Sequence, residues 1–480
     1  MIGGRGVAMD DAGVAASGGG WREYEPALEA ANRHAQTWLN TVGHRAIRPS
    51  IDADGVLARM DRHWREDGIA ADAAIDELAA AVEPGLMAMG SPRFYGFVIG
   101  GTYPAALAAD WLVSTWDQNT GSRQPTPGMA AIEEVAATWL LAILGLPPAS
   151  GVGFVTGATT ASLSCLVAAR DALVRARGYD PARGLQGAPP ILFLAGDAVH
   201  TSVVLAGRMA GLGAPTTVGA DPQGRIDVDG LARALAGHTG PAIVALQAGD
   251  VHSGAFDDFP RAIAIARAAG AWVHVDGAFG LWAAASPKLG HLVAGMAAAD
   301  SWATDAHKTL NVPYDSGIAI VRDEAAMSAA LGAHAAYLPA VGGVDDPYDH
   351  TPELSRRARG VPVWAALRSL GGRGVVALVD GLVAAAAGLA AGFRGIPGLV
   401  VLNDVVFTQV CVATVDDDDA TAALGDWLRA EGTVWASSST WRGRTLIRFA
   451  VSNRATDADA VARTVDAVAR GCLALGIGAS

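Results

Sequence analysis

The chain has 480 residues, 51% of them hydrophobic, and a formal net charge of −13. That length exceeds one ordinary core and implies a large domain with a smaller one, and the apolar share excludes a globally disordered chain. The acidic balance argues against nucleic acid as a partner, because phosphate contacts need basic patches.

Residues 1–20 lack the apolar run of a secretory signal and read as a disordered leader. Residues 21–90 carry helical periodicity with mixed charge. A large domain is expected over 91–344. It opens on the aromatic, glycine-rich stretch "SPRFYGFVIGGTYPAALAADW", and a helix in "PGMAAIEEVAATWLLAILGLP" should stop at Gly145 and Pro147. "GVGFVTGATTASLSCLVAARDAL" then reads as strand, glycine turn and helix. "PPILFLAGDAVHTSVVLAGRMAGLG" and "PAIVALQAGDVHSGAFDDFPRAIAIARAAG" repeat the order, and "AWVHVDGAFG" adds a short apolar strand. Alternating strands and helices predict an α/β fold, a mostly parallel sheet with helices on both faces.

From residue 345 to 480 a smaller α+β domain is expected, with strands in "LVVLNDVVFTQVCVATV", "GTVWASSSTW" and "RTLIRFAV". Asp416 to Asp419 reads as a solvated helix start. Thr456 and Asp459 stand at capping-box-like spacing before the last helix. The longest apolar runs, "VAATWLLAILGL" and "GLVAAAAGLAAGF", fall short of the ~20 residues of a membrane span, so no membrane is expected. Three scattered cysteines, Cys165, Cys411 and Cys472, suggest neither disulfides nor a metal site, and fit the cytoplasm.

In a doubly wound sheet the ligand sits beyond the carboxyl ends of the strands. The residues there are "TGATTAS" (Thr156 to Ser162), His200, Asp276, and Lys308 behind His307. A glycine turn, hydroxyls and a helix start make an anion site, though an ordinary capped turn looks the same. A carboxylate at Asp276 needs a partner to offset burial. A lysine, an anion site and a carboxylate together are the set that pyridoxal phosphate requires.

The motifs "DAHKTLNVPYDSG", "HVDGAFG", "VHTSV", "QAGDVHSGAFDD" and "ELSRRARGVPVW" resemble those of the pyridoxal-phosphate-dependent group II amino acid decarboxylases. The resemblance implies a fold-type I architecture of the aspartate aminotransferase kind, with a seven-stranded-type sheet and an active site at a homodimer interface. It implies decarboxylation of an L-amino acid, with an aromatic substrate as one option. Aldol cleavage, aldehyde synthesis or transamination are alternatives on the same scaffold.

Carried over by residue, Lys308 forms the Schiff base and Asp276 pairs with the pyridine nitrogen. Ala278 packs on one ring face and His200 on the other. Gly157, Ala158, Thr159 and His307 hold phosphate. Tyr337 stands where relatives carry a proton-donating loop tyrosine. Phe94, Phe97, Val98 and His252 are candidates for the substrate pocket. Arg356 or Arg357 would position a loop or domain interface, and Arg448 lies where some fold relatives bind a substrate carboxylate. Two departures stand out. Thr309 replaces the usual Trp, and Asp305 stands where some members have a phosphate-binding Asn. A carboxylate beside phosphate repels it, so Asp305 is expected to point away.

Overall fold

The computed structural model describes residues 20–64, 66–333, 345–415 and 417–478. Residues 20–88 belong to one compact unit and residues 89–478 to a second. The first contains α1 (Trp21–Thr41), α2 (Ala53–Leu57) and α3 (Ala71–Val82). Within it, Arg33 and His34 of α1 meet Asp76 of α3.

The second unit begins with β1 (Phe94–Tyr95), α4 (Pro104–Trp116) and α5 (Pro127–Leu144). Alternation follows through β2 (Gly151–Val155), α6 (Ala158–Arg175), β3 (Leu192–Gly196), α7 (Thr201–Met209), β4 (Thr216–Val218) and α8 (Val228–Leu235). It continues with β5 (Ala242–Gln247), α9 (Phe259–Ala268), β6 (Trp272–Asp276), β7 (Ser301–Asp305), β8 (Gly317–Val321) and α10 (Glu324–Leu331). The long helical element α11 (Gly360–Arg394) leads to β9 (Leu399–Val401), β10 (Gln409–Thr414), α12 (Asp418–Glu431), β11 (Trp435–Trp441), β12 (Arg444–Ala450) and α13 (Ala458–Ala474).

Seven strands form the large sheet in the order β2-β8-β7-β6-β5-β3-β4. Only β8 runs against its neighbours, β2 and β7. The carboxyl ends of β2, β3, β5, β6 and β7 therefore share one edge, and β8 enters it at its first residue, Gly317. Every residue of β2, β5, β7 and β8 is buried, as in a sheet covered on both faces. That explains runs such as "AIVALQ" and "GIAIV", which do not alternate.

The second sheet has the order β1-β11-β12-β10-β9. Its edge strand β1 precedes the large sheet in sequence and pairs in parallel with β11. Two residues give no period to read, so a boundary drawn only near residue 345 misses this crossing. Tyr95 anchors the crossing, its hydroxyl 2.9 Å from Thr464 Oγ1.

α5 and α11 are long and apolar enough to span a membrane, which apolar runs alone did not show. Their apolar faces line the cores instead. Leu140 and Leu144 of α5 join Val363 and Leu367 of α11 in the large core. Leu382, Leu389 and Phe393 enter the smaller one. Gly371, at φ 60° and ψ 175°, breaks α11 between the two sets, a conformation that needs glycine. α5 ends at Gly145 as expected, in the left-handed region. The last helix is capped differently from the expected box. Asp457 accepts the Ala460 N–H, while the Thr456 hydroxyl donates to Pro92 O. At the acidic run, Asp417 caps α12 through Ala420 N–H, and Asp418 binds Arg444.

His274 of β6 is fully buried between Ser301 Oγ at 3.0 Å and Ser162 Oγ at 3.3 Å. Burial lowers its pKa to about 3 from an ordinary 6.5. Above pH 6.5 the folded and unfolded rings are both neutral. Below it the unfolded chain takes up a proton that the folded chain refuses, so stability falls as pH falls. The loss is about 1.4 kcal/mol per pH unit until the folded ring titrates. His274→Asn should flatten this acid limb in denaturant midpoints measured against pH. An unchanged slope would assign the acid sensitivity to other groups.

Candidate active site

The anion site begins at the carboxyl end of β2. Gly157 is the N-cap of α6 and offers no side-chain cap, so the first N–H groups of the helix need other acceptors. The Thr156 and Thr160 hydroxyls lie 2.8 Å apart across the turn. Gly317 makes the close approach possible, since a Cβ there would lie 2.4 Å from Gly157 Cα. Register explains this, because Gly317 pairs with both Val155 and Asp305.

Lys308 follows β7 and is fixed by its backbone. Asn311, at φ 56°, donates through Nδ2 to Lys308 O, Thr309 O and Ser452 O. Its Oδ1 accepts the N–H groups of Gly101 and Arg454. Sequence reading missed this residue, although an Asn able to hold a positive φ was its signal. Gly100 packs on the same turn, where a Cβ would stand 2.2 Å from Lys308 O. Thr309, in place of the usual Trp, is buried and donates to Phe279 O at 3.0 Å.

Asp305 does not point away from the anion site. Its Oδ1 accepts the Ala158 N–H at 2.6 Å, and its Oδ2 lies 3.0 Å from Lys308 Nζ. The physical reason is charge compensation: a buried carboxylate takes the nearest donors, here a helix N-terminus and an ammonium. His307 Nδ1 accepts the Ser316 N–H at 3.2 Å, which leaves the proton on Nε2, 3.5 Å from Asp305 Oδ2. Its ring stacks on Tyr314 with centroids 4.1 Å apart. Burial lowers the His307 pKa, and the Asp305 charge opposes the shift.

Asp276 ends β6 and is buried, its Oδ1 accepting the Ala278 N–H at 3.1 Å. Burial raises its pKa, while the charges of His200 and Lys308 pull it back. His200 caps α7, with Nδ1 accepting the Ser202 N–H, so Nε2 carries the proton. Its pKa is lowered, first by loss of solvation, with Asp276 opposing and Lys308 and Arg448 adding. His252 is held by Ser439 Oγ at 2.9 Å and stacks on Trp441. Arg448 donates to Val251 O at 3.0 Å, which ties the second sheet to the loop after β5.

The structure thus brings Lys308, His307, Asp276, His200, His252 and the α6 N-terminus to one edge. Two candidate pocket residues are interior instead. Phe94 is stacked on Trp435, and Val98 belongs to the large core. Positive φ at Phe97 and Val98 turns that loop so that Val98 packs inward and Phe97 is 59% exposed. Tyr337 lies outside the described residues. Arg356 makes a buried two-pronged pair with Glu133 and also donates to Phe154 O, just before the anion turn. Arg357 pairs with Asp110.

These residues fit pyridoxal phosphate. The start of α6, which Gly157 leaves without a side-chain cap of its own, offers N–H donors to a phosphate beside the one that Asp305 takes, Gly157 and Gly317 leave it no side chain to displace, and Lys308 presents an amine. Asp276 would supply the carboxylate for a pyridinium.

Comparison with known proteins agrees. The chain is 29% identical over 449 residues to tryptophan decarboxylase 1 of Oryza sativa subsp. japonica, covering 84% of this chain and 86% of the relative. It is 25% identical over 439 residues to the aromatic-L-amino-acid decarboxylase of Bos taurus, covering 88% and 90%. The solved Oryza sativa TDC with PLP and tryptamine superposes with a TM-score of 0.88 at 24% identity, over 95% of this chain and 98% of that one. The Rhodiola rosea 4-hydroxyphenylacetaldehyde synthase gives 0.85 at 19% identity, over 95% and 98%. Residues 56–414 match the pyridoxal-dependent decarboxylase conserved domain, and the chain belongs to that family of PLP-dependent decarboxylases.

Proposed function

We propose that this decarboxylase converts an aromatic L-amino acid to its amine and carbon dioxide, acting as a homodimer. The observation that carries the reading is the meeting of Lys308, Asp276, His200 and the α6 N-terminus at one sheet edge. The aromatic preference is supported by the tryptophan and aromatic-amino-acid decarboxylases among its relatives. Trp441, stacked on His252, adds an aromatic surface next to a candidate substrate residue and supports the same preference. In a dimer, the exposed Phe97 would serve the neighbouring site. Buried free thiols at all three cysteines support a cytoplasmic setting.

Bound pyridoxal phosphate supplies the electron sink for the carbon dioxide-losing bond. The chain's residues supply the rest. Asp276 would keep a proton at the ring nitrogen. His200 would bound the ring pocket and orient the substrate carboxylate. Lys308 would hold the cofactor through its amine. Tyr337 returns a proton to the substrate carbon, which favours amine over aldehyde.

The test is a panel of tryptophan, tyrosine, phenylalanine and glutamate, scored for carbon dioxide, amine and aldehyde. Aromatic substrates should lead, with amine as product. A glutamate preference overturns the substrate class. Tyr337→Phe should cut amine yield by about a hundredfold and, with dioxygen as the oxidant, let aldehyde accumulate. An unchanged amine yield overturns that role.

A further inference from the structure

Asp305 departs from the phosphate-binding Asn of some relatives, and the mechanism leaves it without a task. It is 2% exposed and its backbone is fixed, N–H to Ala278 O at 2.9 Å and carbonyl accepting Trp282 Nε1 at 3.1 Å. The carboxylate cannot swing into solvent from there. It has one set of donors: the Ala158 N–H, the Lys308 ammonium, and His307 Nε2 at a longer 3.5 Å.

We propose that Asp305 is an internal competitor for the cofactor phosphate, sharing the α6 N-terminus with it and weakening its hold. A helix N-terminus stabilises negative charge over its first turn only, with few N–H groups to give. Asp305 takes one of them and places a carboxylate beside the others. A phosphate bound there must use the remaining N–H groups, the threonine hydroxyls and His307, against a like charge at close range. The result is a cofactor bound through its aldehyde and ring more than through its phosphate, and released more readily than an asparagine at this position would allow. Asp305 thereby sets how tightly the phosphate end of the cofactor is held.

Asp305→Asn tests it. The amide keeps the shape, can still accept the Ala158 N–H, and turns a repelling oxygen into a donor. Cofactor-stripped protein is titrated with pyridoxal phosphate and, separately, with pyridoxal, which lacks the phosphate. Uptake is followed by the visible absorbance of the lysine-bound ring, and release by its decay on dilution. Changes in Lys308 itself affect both ligands and cancel in their ratio. D305N should raise the ratio of pyridoxal phosphate to pyridoxal affinity about tenfold and slow phosphate-form release to match. An unchanged or lower ratio overturns the proposal, because Asp305 would then act through Lys308 alone or support the phosphate. Asp305→Ser, small and neutral, gives the same reading should the amide fail to fold. The proposal rests on the cofactor assignment, which wild-type colour, lost in Lys308→Ala, checks separately.

Discussion

Asp276→Asn is expected to leave the cofactor bound but to lower kcat about a thousandfold, or about 4 kcal/mol of barrier. Asp276 ends β6, buried, with one oxygen on the Ala278 N–H. Burial disfavours its charge and raises its pKa, and the neighbouring His200 and Lys308 oppose that shift without cancelling it. A cation placed against it, such as a pyridinium, favours the charged carboxylate further. Asparagine keeps the Ala278 contact and the volume but cannot hold a proton on the ring nitrogen. Turnover should collapse while the visible absorbance of bound cofactor persists. A variant within tenfold of wild type would show that the carboxylate merely caps the turn.

The largest effect on stability is expected at Arg356. Its guanidinium is fully buried and reaches both oxygens of Glu133, Thr120 O and Phe154 O. Arg356→Met strips Glu133 of its counter-charge in a dry site and should cost about 3–5 kcal/mol. Denaturant midpoints of the cofactor-loaded protein measure it. Pairing Arg356→Met with Glu133→Leu should recover much of the loss, because the penalty lies in the stranded charge. Recovery failing altogether would mean that the carbonyl contacts at Thr120 and Phe154 matter more than the ion pair. Phe154 lies in β2, two residues before Thr156, so cofactor retention should fall with stability in the single variant.

Much of this molecule was legible in its sequence, for local reasons. The switch from apolar strand to glycine turn to helix marks a covered, mostly parallel sheet, and the residues after each strand mark its working edge. Lys308, Asp276, His200 and the "TGATT" turn were found that way, and the family motifs ranked them. Other features were hidden because they depend on pairing across long separations. β1 is two residues long and becomes a strand only because β11 lies beside it. The interior placement of Phe94 and Val98 follows from Trp435 and the large core, both distant in the chain. Asn311 becomes a hub only when Gly101, Ser452 and Arg454 arrive around it.

Asp305 separates the two kinds of knowledge most sharply. Electrostatics between a carboxylate and a phosphate, read along the chain, predicts that it turns away. In the fold the Ala158 N–H and Lys308 Nζ stand on either side of it, and no solvent competes for the charge. The sequence by itself determined which groups could perform the chemistry and on which strand ends they stand, because alternation and turn residues are short-range signals. Only the tertiary structure decided which donors each buried charge takes, because those partners come from strands and helices far apart in sequence.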